Sequence, residues 1–535
     1  MFTVEDYSRE ELTRLFMQFC DSGERREHDN EKLENPLVRD KHHIGYLHGF
    51  LEKLGCCSIL IEDHYVDRDY LEDFAAYHVR SFYPYRRHCA RLHFFSMQLQ
   101  STDIVKLVTG SPTPITQADL QAAYQGFVVI KPLPFTVVGR TCLRTYPDDL
   151  TEKRRYPVAY EECVNIFGLK LTVKTLPFQE QDRDVAACAS SALWSVFHAT
   201  GKRFQHAIPS PVQITSIATK HSGYDERVLP NQSGLNSRQI ADAIRAVALE
   251  PCTIGLLAKG KNSDVQNTPA NRAILLRIAA VAHLEAGIPC ILLAKTYENN
   301  QELGNHAMAL TGYRIPAAAP VAYGETGILF SASRINRFYA HDDQVGPFAR
   351  MGFCDDGRLS TAQVNRHGKR DRIFAEPTHL MMPLYHKIRI PFQQILRLAI
   401  QIDNLIETVR AVGGLNTQID ERIVWDIRLT MLDTYREGLR ESSLAPEHKL
   451  EVLASPLPRF IWLLRASDSA ERPLFDLLFD PTDLLQGRLF LAAIGYDVAA
   501  MGLMMTAFVA AGSTGFKELP LEAMRAEFAA TLRQD

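Results

Sequence analysis

One cysteine of this chain stands where a nucleophile would. In Asp184-Val185-Ala186-Ala187-Cys188-Ala189-Ser190-Ser191-Ala192-Leu193-Trp194 a polar stretch gives way to small residues and then to a helical pattern, so Cys188 falls in the first turn of a helix. Unpaired backbone N–H groups and the positive helix end favour a thiolate there. The alanines let a substrate backbone approach, and the Cys188 N–H is a ready donor to a developing oxyanion. Gln181, seven residues upstream, could supply a second donor from its amide; Gln179 is the alternative.

A thiol needs a base, and the base needs an orienting partner. Gly304-Asn305-His306-Ala307-Met308-Ala309-Leu310 puts His306 at the head of a short apolar strand. Arg337-Phe338-Tyr339-Ala340-His341-Asp342-Asp343-Gln344 reads as a strand ending in two acids and a turn, with Asp342 the first choice to orient His306 and Asp343 the second. Singly, these residues are ordinary: a small core cysteine, a satisfied histidine, acids capping a turn. Together, in this order and on these elements, they make an acyl-transfer site. Trp194 is expected to pack in the core.

Glutamine, then cysteine opening a helix, then histidine on a strand, then aspartate ending a later strand resembles the papain-like cysteine peptidase superfamily, and most of all the compact C39-like bacterial peptidases. Ser233-Gly234-Leu235-Asn236-Ser237-Arg238-Gln239-Ile240 is similar to the helix opening of such proteins, and Gly287-Ile288-Pro289-Cys290-Ile291-Leu292 to the strand before their histidine strand. The resemblance spans roughly residues 170–350. It implies a helix carrying the cysteine packed on an antiparallel sheet carrying His306 and Asp342, and a peptide or protein as substrate. Two departures stand out: the family's glutamine usually lies six residues before the cysteine, and Ala189 replaces a frequent glycine.

Other chemistries find less support. His42, His43, His48, Asp63 and His64 match no common metal-site spacing, so no metal or cofactor is expected. Cys89 and His93 sit at i,i+4 without a second pair. Arg86, Arg87, Arg91 and Lys131, and the run His367-Gly368-Lys369-Arg370-Asp371-Arg372, read as solvated basic faces. With a net charge of -4 and no phosphate-binding or serine-hydrolase motif, nucleic acid is not an expected partner. The ten scattered cysteines contain no CxxC pair, and Met1–Asp6 lacks a leader's basic and apolar regions, so a bacterial-type cytoplasmic protein is expected. Leu489–Ala511 is long and apolar, but Asp497 and several glycines interrupt it; a buried helix or helix pair is expected rather than a membrane span.

The elements that must position the site point to an α+β protein of three regions: 1–124 mainly helical, 125–378 papain-like, and 379–535 helical. In the outer regions, apolar spacing from Tyr70 to Phe95, and over Pro391–Val412, Glu421–Glu441 and Leu484–Ala511, predicts helices. Between them, β-branched runs predict strands at Phe127–Ile130, Leu169–Thr175, Pro289–Ala294, His306–Tyr313 and Arg337–His341. The expected activity is cysteine peptidase hydrolysis of a peptide or isopeptide bond. The same machinery suits an amidase or a transglutaminase-type transferase, and a degenerate fold that only binds protein is the alternative from another class.

Overall fold

A computed structural model describes residues 2–20, 36–148, 152–182, 187–221, 234–256, 268–317, 321, 327–364, 372–412, 422–483 and 489–511. Helices and antiparallel sheets both contribute, giving an α+β protein. The basic run at 367–372 lies, but for Arg372, outside the described residues.

At the centre, six antiparallel strands pair into a ring. Cys290–Glu298 pairs with Gln301–Pro316, which pairs with Arg337–Asp342. Gly346–Phe353, Leu359–Ser360 and Ile373–Tyr385 follow in turn. The last strand then pairs back onto the first, from Met381 opposite Ile291 to Ile373 opposite Glu298. The strands bearing His306 and Asp342 lie inside this ring, each held by a neighbour on both sides. Leu249–Gly255 and Glu152–Arg155 add to this sheet outside the ring.

The helix Cys188–Phe204 lies on this sheet against Ile291, Ala307, Ala309 and Met381. Alanines at 307 and 309 leave room for the large, fully enclosed side chains of Trp194 and Phe197. Trp194 is thus a core residue, its Nε1–H donating to Asp69 Oδ2 at 3.2 Å.

Both flanking regions correct the expectation. The first is built around a five-stranded antiparallel sheet, in chain order Phe2–Asp6, Ser58–Tyr65, Cys89–Phe95, Tyr124–Ile130 and Val138–Leu143, covered by helices such as His42–Lys53 and Arg68–Ala76. The expected boundary after residue 124 falls inside this sheet. The cause is visible in Cys89–Phe95, which is buried at every position: a short continuous apolar run carries no period to separate strand from helix. Cys89 and His93 therefore lie on a strand. Arg91 and Lys131 are buried rather than solvated; Arg91 pairs with Glu62 and stacks over Tyr65 with its guanidinium carbon 4.1 Å from the ring centre.

The C-terminal region is likewise a sheet backed by helices. Leu329–Phe330 pairs in parallel with Val424–Met431, and Phe460–Ser467, Pro473–Phe479 and Phe490–Gly495 continue it antiparallel. Helix Phe392–Val412 is where expected. Of the expected helix over Glu421–Glu441, the described residues form a strand, Val424–Met431, followed by helix Leu432–Glu441; of that over Leu484–Ala511, they form a strand, Phe490–Gly495, followed by helix Val498–Ala511. Asp497 makes the second break, accepting a hydrogen bond from Ala500 N–H at 2.8 Å as an N-cap. Among the described residues no helix is long and apolar enough to cross a membrane.

Candidate active site

Cys188 opens its helix behind Ala187, which has extended backbone, and Ser190 Oγ accepts from Ala187 N–H at 3.3 Å. The thiol is half-buried and lies near enough to the His306 imidazole to help raise its pKa. The His306 ring brings Nε2 to 2.9 Å from Asp342 Oδ1. Cysteine, histidine and aspartate are thus neighbours, with His306 and Asp342 buried.

Asp342 is held in place by its own turn. Its Oδ1 accepts from Gln344 N–H at 3.0 Å and its carbonyl from Val345 N–H at 2.9 Å. Gln363 donates Nε2–H to Oδ2 at 2.9 Å. Gly346 closes the hairpin at φ +150°, where a Cβ would fall 2.4 Å from the Tyr46 ring, so only glycine lets the N-terminal region pack against this turn.

The charges are tuned by these contacts. Burial favours a neutral His306, but Asp342 by charge and hydrogen bond, the Cys188 thiol and Asp343 outweigh it and raise its pKa well above the ordinary value. Burial likewise opposes ionisation of Asp342, yet His306, Gln363 and the Gln344 N–H hold it below the usual carboxylate range. Asp343 is the counterpart. Its Oδ1 lies 3.8 Å from His306 Nε2 and has no hydrogen-bond partner. Burial raises its pKa to about 7, the charge of His306 opposing and that of Asp342 adding to the rise.

The back wall comes from the N-terminal region. His43 Nε2 lies 2.7 Å from the Asp343 carbonyl oxygen. The stretch Leu176–Asp182, which leads toward Cys188, is gripped on both sides of Gln181: Lys41 pairs with Glu180, and His78 Nε2 lies 3.0 Å from Asp182 Oδ2. His341 ties the same stretch to the sheet, with Nε2 2.9 Å from Leu176 O and Nδ1 accepting from Phe348 N–H at 3.1 Å. Burial lowers the His341 pKa to about 3, so it stays neutral and structural.

Of the residues singled out from sequence, Cys188, His306, Asp342 and Asp343 therefore converge. Gln181 lies half-buried on the gripped stretch, while Gln179 is buried with its amide nitrogen lacking an acceptor. Asn305 is exposed beside the base. Among the described residues, His42, His43, His48, Asp63 and His64 form no ligand cluster; the set close enough to ligate a metal is His306, Asp342 and Asp343, whose facing atoms already make the imidazole–carboxylate hydrogen bond. Sequence reasoning missed Gln363 and His78 and weighed His43 only as a metal ligand, since nothing in their spacing ties them to Cys188. Compared with models of known protein families and with curated proteins, the chain matches none.

Proposed function

We propose that the chain is a papain-like cysteine peptidase that cleaves a peptide or isopeptide bond through an acyl-enzyme. The observation that carries the reading is the buried His306–Asp342 pair at 2.9 Å, next to the half-buried Cys188 thiol at the start of its helix. His306 takes the thiol proton, and the Cys188 sulfur adds to the substrate carbonyl carbon. The Cys188 N–H and the Gln181 amide receive the oxyanion. The C–N bond breaks as His306 returns its proton to the leaving amine. Water, deprotonated by His306, then splits the thioester, releasing a carboxylic acid and restoring the thiol.

The test is iodoacetamide labelling near neutral pH with site mapping by mass spectrometry, followed by a peptide-library assay of wild type and Cys188→Ala. Cys188 should alkylate faster than the other nine cysteines, and the variant should lose all turnover. If Cys188 reacts no faster than the rest and no library is cut, the fold is a binding module. Labelling with amine incorporation in place of hydrolysis would instead mark a transferase.

A further inference from the structure

Away from the proposed nucleophile, the helix His42–Lys53 and the hairpin Arg337–Phe353, with Tyr146 and residues 360–362, line a half-open pocket of about 290 Å³. Arg337 starts the strand that Asp342 ends, so the cavity sits roughly 16 Å from the triad, at about 3.3 Å per strand residue. Arg337, Arg350 and Lys53 line it. No carboxylate of the described residues lies within ion-pair distance of the Arg337 or Arg350 guanidinium. The acid that acts on Arg337 from nearby, Glu152, is already engaged by Arg314 and Arg154. Burial and the neighbouring charges of Arg314 and Arg350 hold Arg337 below the usual guanidinium range. Arg350 stacks over Tyr146 at 4.6 Å from the ring centre, and its Nε is buried without an acceptor.

Two half-buried arginines that repel one another cost free energy unless something negative comes between them. The floor is shaped to admit it. Gly45 and Gly49 lie one turn apart on the helix, and a Cβ on either would meet nothing within 4 Å. Glycine inside a helix is unfavourable relative to alanine, and here it leaves the cavity open. Lys53 and Tyr146 also line an adjoining cavity of about 660 Å³, whose rim carries Arg144, Arg154 and Lys174 against Asp148 and Glu161. At about 290 Å³ the pocket at Arg337 and Arg350 suits a small molecule rather than a single ion.

We infer that this cavity is a binding site for a small, multiply charged phosphate compound, with Arg337 and Arg350 as the paired guanidinium clamp. Planar guanidinium groups match phosphate oxygens in a bidentate fork, which a lone lysine cannot do. The inference is independent of the cysteine chemistry, because none of these residues takes part in it.

Calorimetric titration of the full chain with pyrophosphate, with inorganic phosphate, and with vesicles bearing a phosphoinositide headgroup tests it. Saturable binding of pyrophosphate, tighter than of phosphate and weakened by salt, is the expected result. Arg337→Gln and Arg350→Gln should each weaken it by roughly tenfold or more. Gly49→Glu, which improves the helix while placing a carboxylate in the cavity, should abolish binding without lowering the melting temperature. Absence of saturation in the wild type, equal binding by these variants, or binding to vesicles alone would each overturn the assignment.

Discussion

Asp476 and Asp342 are both enclosed carboxylates on sheet strands, and their surroundings differ in kind. Asp476, in the C-terminal sheet, takes two bonds from Arg465 at 2.7 and 2.8 Å and hydroxyl protons from Tyr435 and Tyr496 at 3.0 and 2.9 Å. Each donor is fixed, and each oxygen is filled. Asp342 is also well supplied, but one of its partners is a titratable imidazole that also reaches a thiol, and beside it stands Asp343 with an oxygen unfilled. A buried charge that only holds a fold together is saturated by groups that keep their protons. A buried charge positioned for chemistry faces a group that exchanges one.

Removing a key group from each cluster should separate the two roles most sharply. His306→Ala and Cys188→Ala should each lower kcat/KM by at least about 10⁴-fold. Cys188→Ala should leave stability within about 1 kcal/mol, while His306→Ala should also cost about 3–5 kcal/mol by stranding Asp342. Asp476→Ala should cost a similar 3–5 kcal/mol with kcat/KM unchanged in the fraction that stays folded, as urea melts beside initial rates would read out. Loss of activity in Asp476→Ala well below its unfolding midpoint would break the contrast.

Milder changes sharpen it. Asp342→Asn preserves shape but not charge and should lower kcat by about 10³-fold, with the alkylation rate of Cys188 falling alongside. Gln363→Leu removes one donor to Asp342 and should cost about tenfold in kcat with KM little changed. Gln181→Ala and Gln179→Ala decide which amide meets the oxyanion; the one that does should lose about 10²-fold in kcat, and the other should lose stability alone.

The smallest expected effect is one of pH. The Asp343 pKa is raised in the folded state, so its contribution to stability is full below about 4 and is lost as pH rises through about 7. Asp342 runs the other way, its lowered pKa adding stability above the usual carboxylate range that is lost on acidification. The raised His306 pKa adds stability below about 6.5 that is lost only as pH climbs through its elevated value. Asp343→Asn removes the first of these and lessens the His306 contribution, to which the Asp343 charge adds. Urea melts from pH 4.5 to 8 should show the variant gaining on the wild type across that range; a constant difference would rule out the raised Asp343 pKa.

What the sequence disclosed follows from what is local. Cys188 at a helix start, His306 on a strand and Asp342 before a turn are each written in a few neighbouring residues. So is the helix Ser237–Ala246, with Asn236 accepting from Gln239 N–H at 3.0 Å as its N-cap. The flanking sheets were hidden because strands such as Cys89–Phe95 are enclosed on both faces, and because Val424–Met431 runs directly into helix Leu432–Glu441 with no proline or glycine between them. Gln363 and His43 were invisible for another reason: their roles depend on long-range meetings that no spacing encodes.

The contact between His43 and the Asp343 carbonyl joins positions 300 residues apart. On a ribosome adding roughly 5–20 residues per second, the strand-and-helix layer holding His43 is made about 15–60 s before its partner emerges. The proposed nucleophile, too, is synthesised before its base and its acid. The charge cluster around Asp342 and Asp343 is therefore among the last parts of the central region to be completed, and a nascent or truncated chain would carry Cys188 without the partners that activate it.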